Sequence, residues 1–293
     1  MNSRSLAWHA AIERNIDSPW DAEHMTMDPI VPFITHAVHP QIAGLIERLG
    51  VRRQLAPEEL IFKPGEPVEQ LILVKKGITA REVGQITNAL AISPPGHFAC
   101  GNLNFFTSHP CIGRYYAIVT SEIISVPQEL VRRIIWSDPA LARIMAIQLE
   151  LCTLSDRMAF GSYAAISVDL RLKAFFIAWY RNYGQYFPEA GGEGWCVMPV
   201  SVQRKYLAAV INSSRVWLDK TFKDWKEKAL YRVDGNFLLM RPSLLEPAYK
   251  WIVQMEEASV NPRPQRFGKW LESVAARCAK LSCTPYAVAG LSA

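Results

Sequence analysis

The chain has 293 residues, of which half are apolar and a fifth are charged, and its net charge is +5. This composition excludes intrinsic disorder, which requires low hydrophobicity and high net charge, and the length favours two domains with terminal extensions. The sequence has no run of eighteen uncharged apolar residues and no apolar core in its first ten residues. We therefore predict neither a membrane span nor a secretory signal, and the cytoplasm is the expected compartment.

The six cysteines are scattered along the chain. None lies in a C-x-x-C pair: Cys100, Cys111, Cys152, Cys196, Cys278 and Cys283. This spacing indicates neither a zinc framework nor a disulfide scaffold, and no metal site is predicted. Reduced thiols that pack as small hydrophobic groups are the simplest interpretation. A redox switch at Cys100 and Cys111, which fall in one loop region, is the alternative.

The first half of the chain shows mostly β-type patterns. Residues 1–39 are poorly periodic and are treated as an N-terminal extension, and a helix is predicted over Pro40–Leu49. Short runs of strand-forming residues with regular turn signals follow. They are Arg52–Leu55, Glu59–Phe62, Gln70–Lys76, Thr79–Val83, Leu90–Ile92, Arg114–Thr120 and Glu122–Val126. This spacing predicts a β-roll or jelly-roll barrel of cupin-like type over residues 40–136.

A long helix is predicted over residues 137–164, after a shorter helix over Gln128–Trp136. Ser137-Asp138-Pro139 offers a cap followed by proline in the first turn, where proline is favoured. Apolar residues form a wide stripe along the long helix: Leu141, Ile144, Met145, Leu149, Leu151, Cys152, Leu154 and Met158. One small barrel cannot cover so long a stripe, so we expect a dimerisation helix that pairs with its copy; packing within one chain is the alternative.

A helix-turn-helix pattern with a hairpin after it is predicted within residues 165–243. This region opens with a helix over Val168–Tyr183 and a surface loop over Gly184–Glu193. The first helix of the motif then directs four apolar residues inward: Val202, Tyr206, Leu207 and Val210. Asn212 lies in the tight turn, where a left-handed backbone is needed. Either Ser213 or Ser214 caps the second helix.

The second helix of the motif has one apolar and one charged face. We assign its buried face to Val216, Leu218, Phe222 and Trp225, and its outward face to Arg215, Asp219, Lys220 and Lys223. A wing hairpin with an Asp234-Gly235 turn follows. From residue 201 to residue 232 there are eight basic and three acidic residues. A helical pair with a solvated charged face is the alternative, but cap, wing and charge together favour a DNA-binding winged helix.

The last part of the chain, residues 244–293, is predicted as a C-terminal helical extension. It combines a helix over Glu246–Glu257, a break at Asn261–Pro264 and a basic helix around Arg266–Leu281. The whole chain is thus expected to be of the α+β class, with a barrel, a long helix, a winged helix-turn-helix and an added helical tail.

In this order of parts, residues 40–242 resemble the CRP/FNR superfamily of transcription regulators, as a divergent member. The resemblance rests on Leu60–Pro67 with Leu71–Gly77, on Pro95–Phe98 leading to Gly101–Leu103, on Ser137–Pro139, and on Ser213–Lys220. It implies a cyclic-nucleotide-binding-like sensor barrel joined to a DNA-binding winged helix. It also implies a homodimer, double-stranded DNA as partner and RNA polymerase as a further partner.

The resemblance assigns DNA contacts residue by residue. Arg215 and Lys220 correspond to base readers, and Arg204 and Ser214 to phosphate contacts, with Ser213 and Lys223 beside them. Val216 falls where many members carry an acidic base-reading residue, so the site read by this protein is expected to differ there. A hydrophobic residue at this position is able to contact a thymine methyl group.

The sensor cassette departs from the family pattern. Asn102 stands where the family binds a ribose hydroxyl with a carboxylate, beside Leu103, and Tyr115 follows Arg114 where a hydroxyl residue is usual. Control by cAMP is therefore not expected, and Asn102, Leu103, Arg114 and Tyr115 are the candidate contacts for an effector that the sequence does not identify. An iron–sulfur cluster is not expected because residues 1–99 contain no cysteine.

The leading hypothesis is a homodimeric regulator that binds a palindromic operator through the helix near residues 213–226. The second hypothesis is a ligand-sensing or protein-interaction module with degenerate DNA recognition. An enzyme is not expected, because the sequence has no glycine-rich nucleotide loop, no H-E-x-x-H and no G-x-S-x-G. Activation and repression are both compatible with these residues.

Overall fold

The structure, a computed structural model, describes residues 29–82, 89–99, 104–107, 109–199, 202–257 and 268–273. The chain divides into two compact units, one built from Phe33–Met158 and one that starts at Ala159. Each unit combines helices with antiparallel sheet, so the predicted α+β class is confirmed. Within these described ranges, no helix is both long enough and apolar enough to cross a membrane.

The first unit is a two-sheet barrel with helices against it. Its elements are α1 (Pro40–Leu49), β1 (Val51–Leu55), β2 (Leu60–Phe62), β3 (Gln70–Lys76), β4 (Thr79–Glu82), β5 (Leu90–Ser93), β6 (Tyr115–Ala117), β7 (Ser121–Pro127) and α2 (Gln128–Ser137). The strand orders are β1-β7-β3 and β2-β6-β4-β5. Apolar side chains from both sheets share one core, among them Val74 and Ile123 from one and Phe62 and Tyr115 from the other.

Strands β3 and β7 are buried on both faces. Ile72 and Ile123 point into the barrel core, whereas their neighbours Leu73 and Ile124 pack against helices α1 and α2. Successive residues of a strand face opposite sides, so a strand buried on both faces needs an unbroken apolar run. This explains why Leu71–Val74 does not alternate with polar residues.

Helix α3 (Pro139–Ala165) carries two adjacent stripes with different surroundings. The first stripe, Met145, Gln148, Cys152 and Ser155, is buried. It packs within the first unit: the Gln148 amide donates to the His36 carbonyl at 3.2 Å and accepts from the His39 N–H at 3.1 Å. The second stripe is partly exposed and consists of Ile144, Ile147, Leu151, Leu154 and Met158. We call this second stripe the seam.

The second unit surrounds one apolar helix. Its elements are α4 (Val168–Tyr183), β8 (Gln185–Phe187), β9 (Trp195–Pro199), α5 (Arg204–Val210), α6 (Arg215–Glu227), β10 (Tyr231–Asp234), β11 (Phe237–Met240) and α7 (Pro242–Glu257), and residues 268–273 are also helical. The strand order is β10-β11-β9-β8. Helix α4 buries Phe175, Phe176 and Trp179, and Phe176 contacts the Phe222 and Trp225 rings of α6.

Two predictions in this unit were wrong in detail. Strand β8 lies in the segment predicted as a loop, and it pairs with β9, which had no predicted counterpart. Gly184, Gly191 and Gly192 beside these short strands masked the pattern. Helix α7 begins at Pro242 and continues through Pro247, whereas the predicted helix started at Glu246.

The described part of the tail packs against the second unit. Trp270 and Leu271 are buried. The Trp270 ring lies 4.9 Å from the Tyr249 ring of α7 and 6.0 Å from the Tyr180 ring of α4, measured between centroids. Residues 268–273 therefore extend the core of the second unit.

Candidate nucleic-acid interface

Helices α5 and α6 form a helix-turn-helix, as the sequence predicted. The inward residues of the first helix region, Val202, Tyr206, Leu207 and Val210, are buried. Asn212 in the turn has φ 51°, the left-handed conformation expected for it. Of the two candidate caps, Ser214 is the one used: its hydroxyl accepts from the Trp217 N–H at 3.1 Å. Ser213 precedes it in the turn and is half-buried.

Helix α6 separates its residues cleanly into two faces. Leu218, Phe222 and Trp225 are buried. The opposite face is exposed and consists of Arg215, Val216, Asp219, Lys220 and Lys223. The assignment of Val216 to the buried face was wrong, since its side chain is 80% exposed. Residues two apart in a helix are rotated by about 200°, so Val216 and Leu218 must point to opposite sides.

Arg204, predicted to contact phosphate, is engaged inside the motif. Its guanidinium forms an ion pair with Asp219 and lies 5.0 Å from the centre of the Phe222 ring. Both partners of the ion pair are about half exposed. This contact joins α5 to α6 and places one carboxylate beside the basic side chains of the exposed face. Arg215 and Lys220 form no ion pair within the described ranges.

A buried arginine that the sequence analysis missed holds the turn of the motif. Arg171 of α4 is only 6% exposed. Its guanidinium donates to the Ile211 carbonyl at 2.9 Å and to the Asn212 carbonyl at 3.4 Å. It also donates to the Tyr163 and Ile166 carbonyls, each at 3.0 Å, at the end of α3. Burial lowers the pKa of this guanidinium.

The Arg171 contacts have a simple electrostatic basis. Carbonyls at a helix C-terminus and in a tight turn lack backbone donors, and the helix dipole favours a cation at that end. One guanidinium with five N–H groups is able to satisfy several of them together. The signal for this role in the sequence was an arginine placed between two leucines, Leu170 and Leu172, in a largely apolar helix.

Strands β10 and β11 form the predicted wing hairpin, with its turn one residue later than predicted. The pairing of Asp234 with Phe237 leaves Gly235 and Asn236 as the two central residues, and Gly235 has φ 57°. Glycine at the first central position allows the twist that strands in a hairpin require. On the same sheet the centre of the Trp195 ring lies close to two guanidiniums, 4.5 Å from that of Arg232 and 3.8 Å from that of Arg241.

In the first unit, the candidate effector residues Arg114 and Tyr115 have different surroundings. The Arg114 guanidinium donates to Glu82 at 2.7 Å, and this hydrogen bond raises the pKa of Arg114. Tyr115 is buried in the barrel core, edge-on to Phe62 with 6.0 Å between ring centres. The other two candidates, Asn102 and Leu103, lie outside the described residues.

The proposed redox pair is not supported at its described member. Cys111 is 3% exposed, and burial raises the pKa of its thiol to about 11. A reactive thiol needs a depressed pKa and access to solvent. The local burial therefore explains why a reactive role does not fit Cys111. Cys100 lies outside the described residues.

The chain is similar in sequence to one known regulator and in structure to several solved proteins. No family model matches the chain. Among curated proteins, the chain is 25% identical over 179 residues to the global nitrogen regulator of Synechococcus elongatus; the match covers 59% of this chain and 78% of that protein.

Solved structures share the fold at low sequence identity. FixK2 from Bradyrhizobium japonicum matches with a TM-score of 0.56 at 13% identity, covering 69% of this chain and 96% of that one. A CooA mutant from Carboxydothermus hydrogenoformans matches with a TM-score of 0.55 at 16% identity, covering 71% and 90%. Both are CRP/FNR-type regulators. The chain therefore shares the fold of these solved structures, which agrees with the CRP/FNR-type fold expected from the sequence.

Proposed function

We propose that the protein is a sequence-specific, DNA-binding transcription regulator that acts as a homodimer on a two-fold symmetric operator. The observation that carries this proposal is the exposed face of α6. Arg215, Lys220 and Lys223 project from one side of a helix whose opposite side is buried in a helix-turn-helix. A helix presented in this way fits the major groove, where arginine and lysine donate to guanine O6 and N7.

The N-terminal end of α6 is suited to contact phosphate. Ser214 caps this end, and the helix dipole gives it a partial positive charge. Ser213 and Ser214 supply hydroxyl groups beside the backbone N–H groups of the first turn of α6. Phosphate contacts of this kind fix the orientation of a protein on the duplex, and base contacts then provide the sequence preference.

The seam of α3 supports the homodimer. Its residues follow the spacing 144, 147, 151, 154 and 158, which alternates steps of three and four as in a coiled coil. The adjacent stripe with Gln148 and Ser155 is already occupied by contacts within the first unit. Ile144 also packs against the core of the first unit, and the rest of the seam is the side of this helix available to a second copy. An isologous helix pair would give the two-fold symmetry that a palindromic operator requires.

The sensor role of the barrel is proposed without cAMP as its effector. Arg114, the cassette residue expected to bind an anion, is paired with Glu82, and Tyr115 fills the barrel core. The name of the curated relative, a global nitrogen regulator, supports a regulatory role.

The test is selection of DNA from a random duplex library by the purified full-length chain. We expect enrichment of an inverted repeat whose half-sites are centred about 34 Å apart, one turn of DNA, because two copies of α6 would enter successive major grooves. Sequencing of the enriched pool provides the readout. A pool that remains random after repeated rounds would reject sequence-specific binding and favour an interaction module with degenerate DNA recognition.

A further inference from the structure

Val216 is an unusual residue for its position. It is 80% exposed, the highest value among the large hydrophobic side chains of the described residues. It lies in the first turn of α6, while the other apolar residues of that helix, Leu218, Phe222 and Trp225, are buried. Valine is a poorer helix former than alanine, lysine or glutamate. Neither helix stability nor solubility therefore accounts for a valine there.

We infer that Val216 is a specificity-determining residue that contacts the C5-methyl group of a thymine in each operator half-site. This inference rests on the proposed function and adds to it the base that the first turn of α6 reads. In the major groove the methyl group is presented by thymine alone, and an apolar side chain is its natural partner. A valine side chain has no hydrogen-bonding group, so it cannot read guanine, cytosine or adenine by donor or acceptor.

The position of Val216 indicates where the thymine should lie. Arg215 precedes Val216 directly, and both project from the exposed face of the first turn. Neighbouring helical residues are 1.5 Å apart along the axis, whereas stacked base pairs are about 3.4 Å apart. If Arg215 donates to a guanine, Val216 reaches the same or the next base pair. The operator class is therefore a half-site in which a guanine·cytosine pair adjoins an adenine·thymine pair.

The contact can be tested by removing the methyl group alone. Deoxyuridine keeps every hydrogen-bonding group of thymidine and lacks only the C5-methyl group. The enriched operator is compared with the same duplex carrying deoxyuridine at the thymine beside the guanine in both half-sites. We expect the wild-type Kd to rise about fourfold for each half-site, the effect of losing one buried methyl-sized contact.

Two variants complete the design. Val216→Ser should bind the thymine and uracil operators with equal Kd, because the apolar partner is gone. Val51→Ser is the matched control: Val51 is 71% exposed on β1 of the first unit, and this variant should keep the wild-type difference between the two operators. Circular dichroism confirms that both variants fold.

The outcomes separate this inference from the proposed function. A wild-type preference for thymine that Val216→Ser abolishes supports the inference. Enrichment of a two-fold site with no thymine beside the guanine, or equal wild-type affinity for both operators, overturns the inference alone. If the wild type enriches no sequence, the proposed function fails and the inference fails with it.

Discussion

Arg171 lies in an unusual environment for an arginine. Arginine is seldom buried, yet this side chain is 6% exposed and donates to carbonyls on both α3 and the turn before α6. Within the described residues its guanidinium donates to backbone carbonyls and to no carboxylate, so it is stabilised by backbone dipoles. The position of the turn between α5 and α6 therefore depends on a buried charged residue, Arg171.

Replacing Arg171 by alanine should destabilise the second unit strongly. Several buried carbonyls would lose their donor, and each unsatisfied buried group costs about 1–3 kcal/mol. We expect the free energy of unfolding to fall by about 3–5 kcal/mol, measured by urea denaturation followed by tryptophan fluorescence. Arg215→Ala, at an exposed arginine of the same unit, should change it by less than about 0.5 kcal/mol. Equal stability of the two variants would refute the role of Arg171.

Asp219 limits the positive charge of the α6 face. In the proposed complex with DNA, its ion pair with Arg204 would keep that guanidinium from a phosphate and set a carboxylate close to the duplex. Asp219→Asn should therefore tighten binding to non-specific duplex and steepen the plot of log K against log salt by about two units for the dimer, because each subunit neutralises one more phosphate. Fluorescence anisotropy at several salt concentrations measures this slope.

Asp224→Asn is the matched control for Asp219→Asn. Asp224 also pairs with a basic residue of α6 or its cap, since its carboxylate lies 2.8 Å from the Lys228 ammonium. This pair is at the C-terminal end of the helix, where we expect no DNA contact. Its removal should leave the salt slope unchanged. A slope that responds equally to both substitutions would show that Arg204 has no special part in phosphate binding.

At the scale of elements, α3 is the helix whose role is easiest to test. Leu151→Glu with Leu154→Glu should prevent pairing through the seam, because burying four carboxylates at a two-fold interface is strongly unfavourable. We expect a monomer by light scattering and a loss of operator affinity of at least tenfold. Ala146→Glu, at an exposed position outside the seam, should remain dimeric. A dimer that persists in the double variant would place the interface elsewhere.

Some elements could be predicted from the sequence because their patterns are locally complete. Helices α1 and α4 and strand β3 have the predicted bounds, Pro40–Leu49, Val168–Tyr183 and Gln70–Lys76. Each has an unambiguous apolar run and a clear end. Strands β8 and β9 were missed because their pairing depends on residues brought together by the fold, and short segments beside glycines carry little pattern of their own.

The site was predictable at the level of its motif and less so at the level of contacts. The Asn212 turn and the Ser214 cap follow from local backbone chemistry. The exposure of Val216 follows from helix geometry that the first assignment overlooked. The Arg204–Asp219 pair and the Arg171 contacts join residues 15 and 40 positions apart, and such pairs cannot be derived from spacing in a single sequence.

At the scale of the whole molecule, the central claim is that α6 reads DNA bases with Arg215 and Lys220. The most direct measurement is the Kd of the wild type and of the Arg215→Ala, Lys220→Ala double variant for the enriched operator and for a scrambled duplex, at one salt concentration. Arg133→Ala, at an exposed arginine of α2, serves as control. We predict that the wild type prefers the operator by about a thousandfold or more.

The double variant should lose at least a hundredfold in operator affinity, because each base contact contributes about 1–3 kcal/mol and a dimer makes each contact twice. Its affinity for scrambled duplex should fall much less, and Arg133→Ala should behave as wild type. Undiminished operator binding by the double variant would contradict the assignment of α6 as the recognition helix.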